Sequence, residues 1–313
     1  MNDITSGTVL LTGPTGGLGK AAMLAIAHRP PSERPDLLLV GRPGRALTEV
    51  ADEARSAGAT VQEIACDLAR LSDVRSAGQM AKDLLVSGAV RPLRGLVANA
   101  GLSVADTHNA SADGYELTFA VNYLAHAQLI GDLLGSFSVP ARVVLVGSNT
   151  YHQNVFRRWL HVPPARWRDP LELARPTPAD TPSTFEQCGI AYSNSKLALL
   201  YYGHELQRRA PAGVNVTVFE PGFMPGTGLS RAHGPAMQRV GRVIERIPGV
   251  SSPDRSGPAL ASIVLDGRWA HLRDGAFVVK TREQQVKSFA QDRQREARLW
   301  EATTELLDGA PPA

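Results

Sequence analysis

Short apolar runs alternate with longer segments of helical period along most of this chain, and few architectures accept that alternation. A strand covered on both faces reads as an unbroken apolar run, and Val143-Val144-Leu145-Val146 is such a run. Strand, helix, strand in repetition builds a parallel sheet with helices on both faces. The pattern predicts strands near 8–12, 37–41, 60–65, 94–98, 142–147, 214–219 and 275–279. It predicts helices near 17–28, 45–57, 72–86, 111–136, 190–209, 254–266 and 287–307. No stretch resembles an interdomain linker, so residues 1–313 are read as one α/β domain ending in a helical tail.

Two stretches break the rhythm. Residues 149–189 lack periodicity and are rich in Pro, Arg and aromatic residues, while 223–253 begins with Gly222, Gly226 and Gly228 at its edge. Both follow strands at their carboxyl ends, the edge where open α/β sheets bind ligands. Long loops at that edge are expected to close over a substrate.

Composition narrows the function classes. With 43% hydrophobic and 20% charged residues there is enough apolar material for a sizeable core, so disorder is excluded. Lys and Arg exceed Asp and Glu by 33 to 30, and the arginines are scattered. A nucleic-acid partner needs a clustered basic stripe, so a small-molecule substrate is expected instead. Cys66 and Cys188 form neither a disulfide framework nor a metal-binding spacing, and read as free thiols in a reducing compartment; no metal is expected. No apolar run approaches the ~18 residues of a membrane span, and the N-terminus lacks the pattern of a signal peptide. The expected location is cytoplasmic.

Directly after the first strand comes Thr12-Gly13-Pro14-Thr15-Gly16-Gly17-Leu18-Gly19, with a helix opening at about Gly17. Glycines allow a tight turn and let a pyrophosphate approach the backbone, and the helix N-terminus presents free N–H groups. In this context the loop predicts a Rossmann-type doubly wound sheet of about seven strands that binds a dinucleotide. The second strand ends Leu39-Val40-Gly41-Arg42, where an NAD site commonly carries an acid for the ribose hydroxyls. A guanidinium there suits a 2′-phosphate, so Arg42 points to NADPH/NADP+ as cofactor.

Further on, Tyr192-Ser193-Asn194-Ser195-Lys196 opens a strong helical pattern, placing Tyr192 and Lys196 on one face. An ordinary phenol titrates near 10, so poising it near neutrality needs roughly 4 kcal/mol of anion stabilisation. A neighbouring ammonium and a cationic nicotinamide are the means available. His126, His152 and His161 show no metal or nucleophile arrangement and read as packing or surface residues.

Taken together these motifs resemble the short-chain dehydrogenase/reductase family. Its landmarks occur in order: Thr12-Gly13 with Gly17 and Gly19, Asp67-Leu68, Asn99-Ala100-Gly101, Asn122, Ser148, Tyr192 with Lys196, and Pro221-Gly222. The resemblance implies Tyr192 as general acid/base, with Lys196 bonding the nicotinamide ribose and lowering the tyrosine pKa. It implies that Ser148 holds the substrate oxygen and that Asn122 supports a proton-relay water. Cofactor contacts would come from Thr12, Gly13, Thr15, Gly17, Leu18 and Gly19, from Asp67 and Leu68 at the adenine, and from Asn99, Ala100 and Gly101 along the cleft. Tyr192, Lys196, Pro221, Gly222, Phe223 and Thr227 would complete the nicotinamide side.

The segment from Pro221 to His233 is similar to the branch holding protochlorophyllide reductases and retinol dehydrogenase-like enzymes. Protochlorophyllide reductases carry a cysteine where this chain has Phe223, which argues against light-driven double-bond reduction. The family's threonine five residues after the proline is Gly226 here, with Thr227 one position later. The expected reaction is hydride transfer between NADPH and the carbonyl of a bulky apolar small molecule, or its reverse. Reduction of an activated carbon–carbon double bond and a non-catalytic cofactor-binding sensor stand as alternatives. A homo-oligomer is compatible with the resemblance.

Overall fold

A computed structural model describes residues 4–159, 161–224 and 250–309, the side chains of Phe156 and Trp159 aside. Thr227 and most of the 223–253 stretch therefore lie outside the described residues. The chain runs β1 (Thr8–Thr12), α1 (Gly17–Ala27), β2 (Asp36–Gly41), α2 (Arg45–Ser56), β3 (Val61–Ala65), α3 (Leu71–Val86) and β4 (Leu93–Ala98). Next come α4 (Leu117–Phe119), a π-helical turn (Ala120–Leu124), α5 (Ala125–Leu133), β5 (Phe137–Val146), α6 (Val155–Trp159), α7 (Pro170–Leu173) and α8 (Phe185–Arg209). They are followed by β6 (Val214–Glu220), α9 (Pro253–Leu265), β7 (Ala276–Val279), β8 (Arg282–Gln284) and α10 (Arg293–Asp308).

The described strands form one sheet in the order β3-β2-β1-β4-β5-β6-β7-β8. Every neighbouring pair is parallel except β7 with β8. Strand residues point alternately to the two faces, and the core divides accordingly. Leu10, Val143 and Leu145 join one buried cluster with Tyr123, Leu197 and Leu200. Val9, Leu11 and Val144 join the other with Met23, Ile26 and Leu260. Both faces being covered, β1 is buried at all five positions, which is why its sequence shows no polar alternation. On the second face α9 lies hard against α1, because Gly257 has no side chain: a Cβ there would stand 2.5 Å from that of Ala21.

All seven expected strands are present; β8 is additional. It is three exposed residues long and follows β7 through a turn at Lys280-Thr281, with Lys280 in the left-handed region at φ 57°. Such hairpins ordinarily advertise themselves with Asn or Gly, and this one does not. The helix expected at 111–136 starts only at Leu117, where the Glu116 carboxylate accepts the Thr118 and Phe119 N–H groups. Conversely α8 starts five residues before the expected 190, because Thr184 and Gln187 form a capping box ahead of the apolar pattern. The tail opens as a short 3₁₀ turn (Ser288–Gln291) before Asp292 caps α10.

Candidate active site

The strand order reverses direction at β1 and β4, so their carboxyl ends open the crevice in which doubly wound sheets hold ligands. At the end of β1, Gly13 (φ 68°) and Gly17 (φ 51°) take left-handed conformations that only glycine adopts cheaply. A Cβ on Gly19 would lie 2.1 Å from the Gly13 carbonyl, and one on Gly13 would lie 2.9 Å from the Ala100 Cα. The N-cap of α1 is Gly16, with no side-chain cap, and no acid stands in the first turn. This is a cradle suited to a diphosphate.

The wall opposite is tied to the cradle through Thr12. Its hydroxyl accepts the N–H of Asn99 and of Ala100, both at 3.0 Å, while the Asn99 amide donates to the Thr12 and Gly13 carbonyls. With both N–H bonds accepted, the Thr12 O–H is left to face His126 Nε2, 3.0 Å away. The ring is then protonated at Nδ1, which donates to the Asn122 carbonyl at 3.1 Å. Burial pushes His126 down to about 4, so it stays neutral in this role.

The two arginines of the β2–α2 loop differ. Arg45 pairs with Glu49 at 2.6 Å, whereas Arg42 is exposed and has no hydrogen bond or ion pair among the described residues. Asp67, after β3, uses Oδ1 to accept the Ala69 N–H at 3.0 Å, and Leu68 packs partly against the core.

Asn122, Ser148, Tyr192 and Lys196 come together at the crevice. Asn122 sits in the π-helical turn, and its side chain spans two elements. Oδ1 accepts the Leu102 N–H at 2.8 Å, and Nδ2 donates to the Leu102 carbonyl and to Ser195 Oγ at 2.9 and 3.0 Å. A Cβ on Gly101 would stand 3.1 Å from Asn122 Oδ1 and 3.7 Å from Lys196 Nζ, so these groups share one small volume. Lys196 Nζ donates to the Val146 carbonyl at 2.8 Å and lies 5.7 Å from the centre of the Tyr192 ring. Ser148 follows β5 after Gly147, and its hydroxyl works to lower the Tyr192 pKa.

Electrostatics divide the pair on α8. Burial pushes the Tyr192 phenol up to about 12; the Ser148 hydrogen bond opposes this and the charge of Glu220 adds to it. Burial lowers Lys196 to about 8, leaving it mostly protonated at neutral pH. The phenol therefore keeps its proton at neutral pH and stands above the poised range that the Tyr192–Lys196 motif leads one to expect; Lys196 is not among the groups that move it.

Sequence reasoning passed over two residues. His126 shows its place only through the Thr12 and Asn122 contacts. Glu220 carried a visible signal, a carboxylate closing a strand that carries Val214, Val216, Val218 and Phe219; it is buried, and its charge works to raise the Tyr192 pKa. Trp167 is partly buried, packs edge-on against Tyr201 at 4.8 Å and lies against the core. Among the insertion arginines, Arg166 pairs with Glu186 and Arg157 bonds to His152.

The family model for short chain dehydrogenase matches residues 7–159. Protochlorophyllide reductase A, chloroplastic, of Oryza sativa subsp. japonica is 29% identical, over 97% of this chain and 81% of that protein. The chloroplastic protochlorophyllide reductase of Chlamydomonas reinhardtii is 26% identical, over 96% and 77%. The crystal structure of a short chain dehydrogenase from Burkholderia cenocepacia J2315 in complex with NADP superposes with a TM-score of 0.64 at 19% identity, covering 89% of this chain and 97% of that one. The chain is thus similar to short-chain dehydrogenases over its first half and to protochlorophyllide reductases, which are oxidoreductases, over nearly its whole length. No helix among the described residues is long and apolar enough to cross a membrane.

Proposed function

We propose that this chain is an NADPH-dependent reductase that delivers hydride to a carbonyl carbon, with Tyr192 giving the proton to the oxygen. The convergence of Asn122, Ser148, Tyr192 and Lys196 at the mouth of a diphosphate cradle carries this reading. Thr12, Gly13, Thr15, Gly17, Leu18 and Gly19 hold the diphosphate, Arg42 the 2′-phosphate, and Asp67 with Leu68 the adenine. Asn99, Ala100 and Gly101 form one wall, and Pro221, Gly222, Phe223 and Thr227 the nicotinamide side. When bound, the dinucleotide supplies the hydride and, once oxidised, a positive charge near the phenol.

The remaining work falls to side chains. Ser148 donates a hydrogen bond to the substrate oxygen and fixes its distance from Tyr192. As the carbon accepts hydride, the oxygen gains charge and Tyr192 transfers its proton to it, completing the alcohol. Lys196 holds the ribose and favours the phenolate left behind; Asn122 keeps α8 in register through Ser195. Run in reverse, the same groups oxidise an alcohol. Likeness to protochlorophyllide reductases along nearly the whole chain favours a second reading, reduction of an activated carbon–carbon double bond.

The test is NADPH oxidation against a panel of bulky ketones, aldehydes and enones. Tyr192→Phe keeps the ring, so fold and NADPH affinity persist while ketone turnover falls by about 10²–10⁴-fold. Near-normal ketone turnover by that variant would remove Tyr192 as the acid. Activity confined to enones would select the second reading.

A further inference from the structure

A cavity of about 340 Å³ opens between the insertion, α4 and the first turns of α8. That volume lies at the lower end of the ~300–1,000 Å³ of small-molecule sites. Gln187, Ile190, Ala191 and Asn194 line it from α8, and their spacing of three and four puts them on one stripe of the helix. At 3.6 residues per turn Tyr192 and Lys196 fall on the other side of that helix, so the cavity faces away from the crevice.

Its lining divides by chemistry. Phe119, Leu173, Ile190 and Ala191 give it an apolar side. Arg166, Arg168 and Arg175 of the insertion bring three guanidiniums to its rim. Arg166 is paired with Glu186, but the guanidiniums of Arg168 and Arg175 make no hydrogen bond or ion pair among the described residues. The acid in the lining, Glu116, spends both carboxylate oxygens on the Thr118 and Phe119 N–H groups, at 3.0 and 2.6 Å.

Asn194 adds an independent observation. It is 3% exposed, and its Oδ1 accepts the Arg166 N–H at 2.8 Å. That bond fixes which end of the carboxamide is which, and Nδ2 is left with no hydrogen bond among the described residues, at the cavity that Asn194 lines. A donor so deeply placed costs free energy until it meets an acceptor. Gln187 is alike: its Oε1 accepts the Thr184 N–H at 2.7 Å, and Nε2 remains to donate.

We propose that this cavity binds a small organic carboxylate as an effector, with its apolar body against Phe119, Leu173 and Ile190 and its carboxylate met by Arg168, Arg175 and the Asn194 amide. Donors exceed acceptors on every polar side of the cavity, and a guanidinium holds a carboxylate through paired N–H bonds. A ligand seated there bridges the insertion and α8 at the contact between Asn194 and Arg166. The site does not depend on the reaction assigned to Tyr192, which stands across the helix from it.

Calorimetric titration with phenylacetate tests the proposal, with phenylacetamide as the neutral isostere and inorganic phosphate as an anion without an apolar body. Phenylacetate is expected to bind the free protein and its NADPH complex alike, about tenfold or more tighter than either control. The Arg168→Gln/Arg175→Gln double variant, altered only at exposed side chains, should bind phenylacetate about tenfold or more weakly while NADPH affinity stays that of the wild type. Hydrogen exchange locates the ligand: phenylacetate should slow amides within 163–177 and 187–194 and leave 13–19 unchanged. Wild-type affinity in the double variant, or slowing confined to 13–19, would put the carboxylate elsewhere and overturn the proposal. So would phosphate or phenylacetamide binding as tightly as phenylacetate, or no binding at millimolar phenylacetate.

Discussion

Arg42 and Arg45 stand on one loop, and their surroundings decide which of them is available to a ligand. Arg45 has a carboxylate at 2.6 Å and is 92% exposed; Arg42, at the end of β2, has no partner among the described residues. Arg42→Ala is expected to weaken NADPH by the 1.5–3 kcal/mol of a charge-assisted bond, roughly ten- to a hundredfold, and NADH little. Arg45→Ala should change neither, as suits an exposed pair. Fluorescence titration of both cofactors checks this; equal weakening of NADPH and NADH by Arg42→Ala would dismiss the 2′-phosphate role. At this scale the sequence was legible wherever a residue acts through local geometry. Gly13, Gly17 and Gly19 announce a turn, and Tyr192 with Lys196 announces a helix face. It was silent about His126, because a histidine wedged between Thr12 and Asn122 depends on contacts 114 residues apart.

The insertion between β5 and α8 shows how an element without periodicity is nevertheless placed. The Ser193 hydroxyl donates to the Pro163 carbonyl and Asn194 Oδ1 accepts the Arg166 N–H, each at 2.8 Å. Ser183 bonds Thr107, and Asp169 receives Arg298 of α10 at 2.8 and 3.0 Å. Two of the three residues between Tyr192 and Lys196 therefore grip the insertion, so a shift of that segment is felt by Tyr192 and Lys196. Hydrogen exchange is expected to slow across the insertion, the Arg166 amide included, when NADPH and a substrate bind. Asn194→Ala should speed exchange at Arg166 and reduce turnover while leaving NADPH affinity near the wild type. Equal, strong protection of the insertion with and without ligands would make it a fixed wall. Strands and long helices could be read from the sequence because burial on both faces dictates their composition. The insertion could not, since its order comes from single side-chain bonds to α8 and α10 and not from a repeating face.

Across the whole molecule, α10 closes the first core against α8, and a buried charge network sets how firmly. Leu299 and Leu306 enter that core, and the Tyr115 hydroxyl donates to the Leu306 carbonyl at 2.6 Å. The Glu296 side chain, 1% exposed, bonds His204 Nδ1 at 2.7 Å and accepts from Arg208 at 2.6 Å. Burial opposes its charge, but the bonds to His204 and Arg208 outweigh burial and hold its pKa below the ordinary 4.5. A carboxylate depressed in the folded state stabilises the fold above its unfolded pKa, and that contribution disappears as pH falls through the folded value. Glu296→Ala is therefore expected to cost about 3 kcal/mol at pH 7, since it leaves buried His204 without its partner and takes from Arg208 one of its two carboxylates, Glu205 remaining. The difference from the wild type should narrow below about pH 4, as the wild-type carboxylate itself takes up a proton. Urea unfolding of both proteins at pH 7 and about pH 3 measures the two gaps. A gap that stays constant across that interval would mean that packing of α10, and not the Glu296 charge, holds the tail against α8.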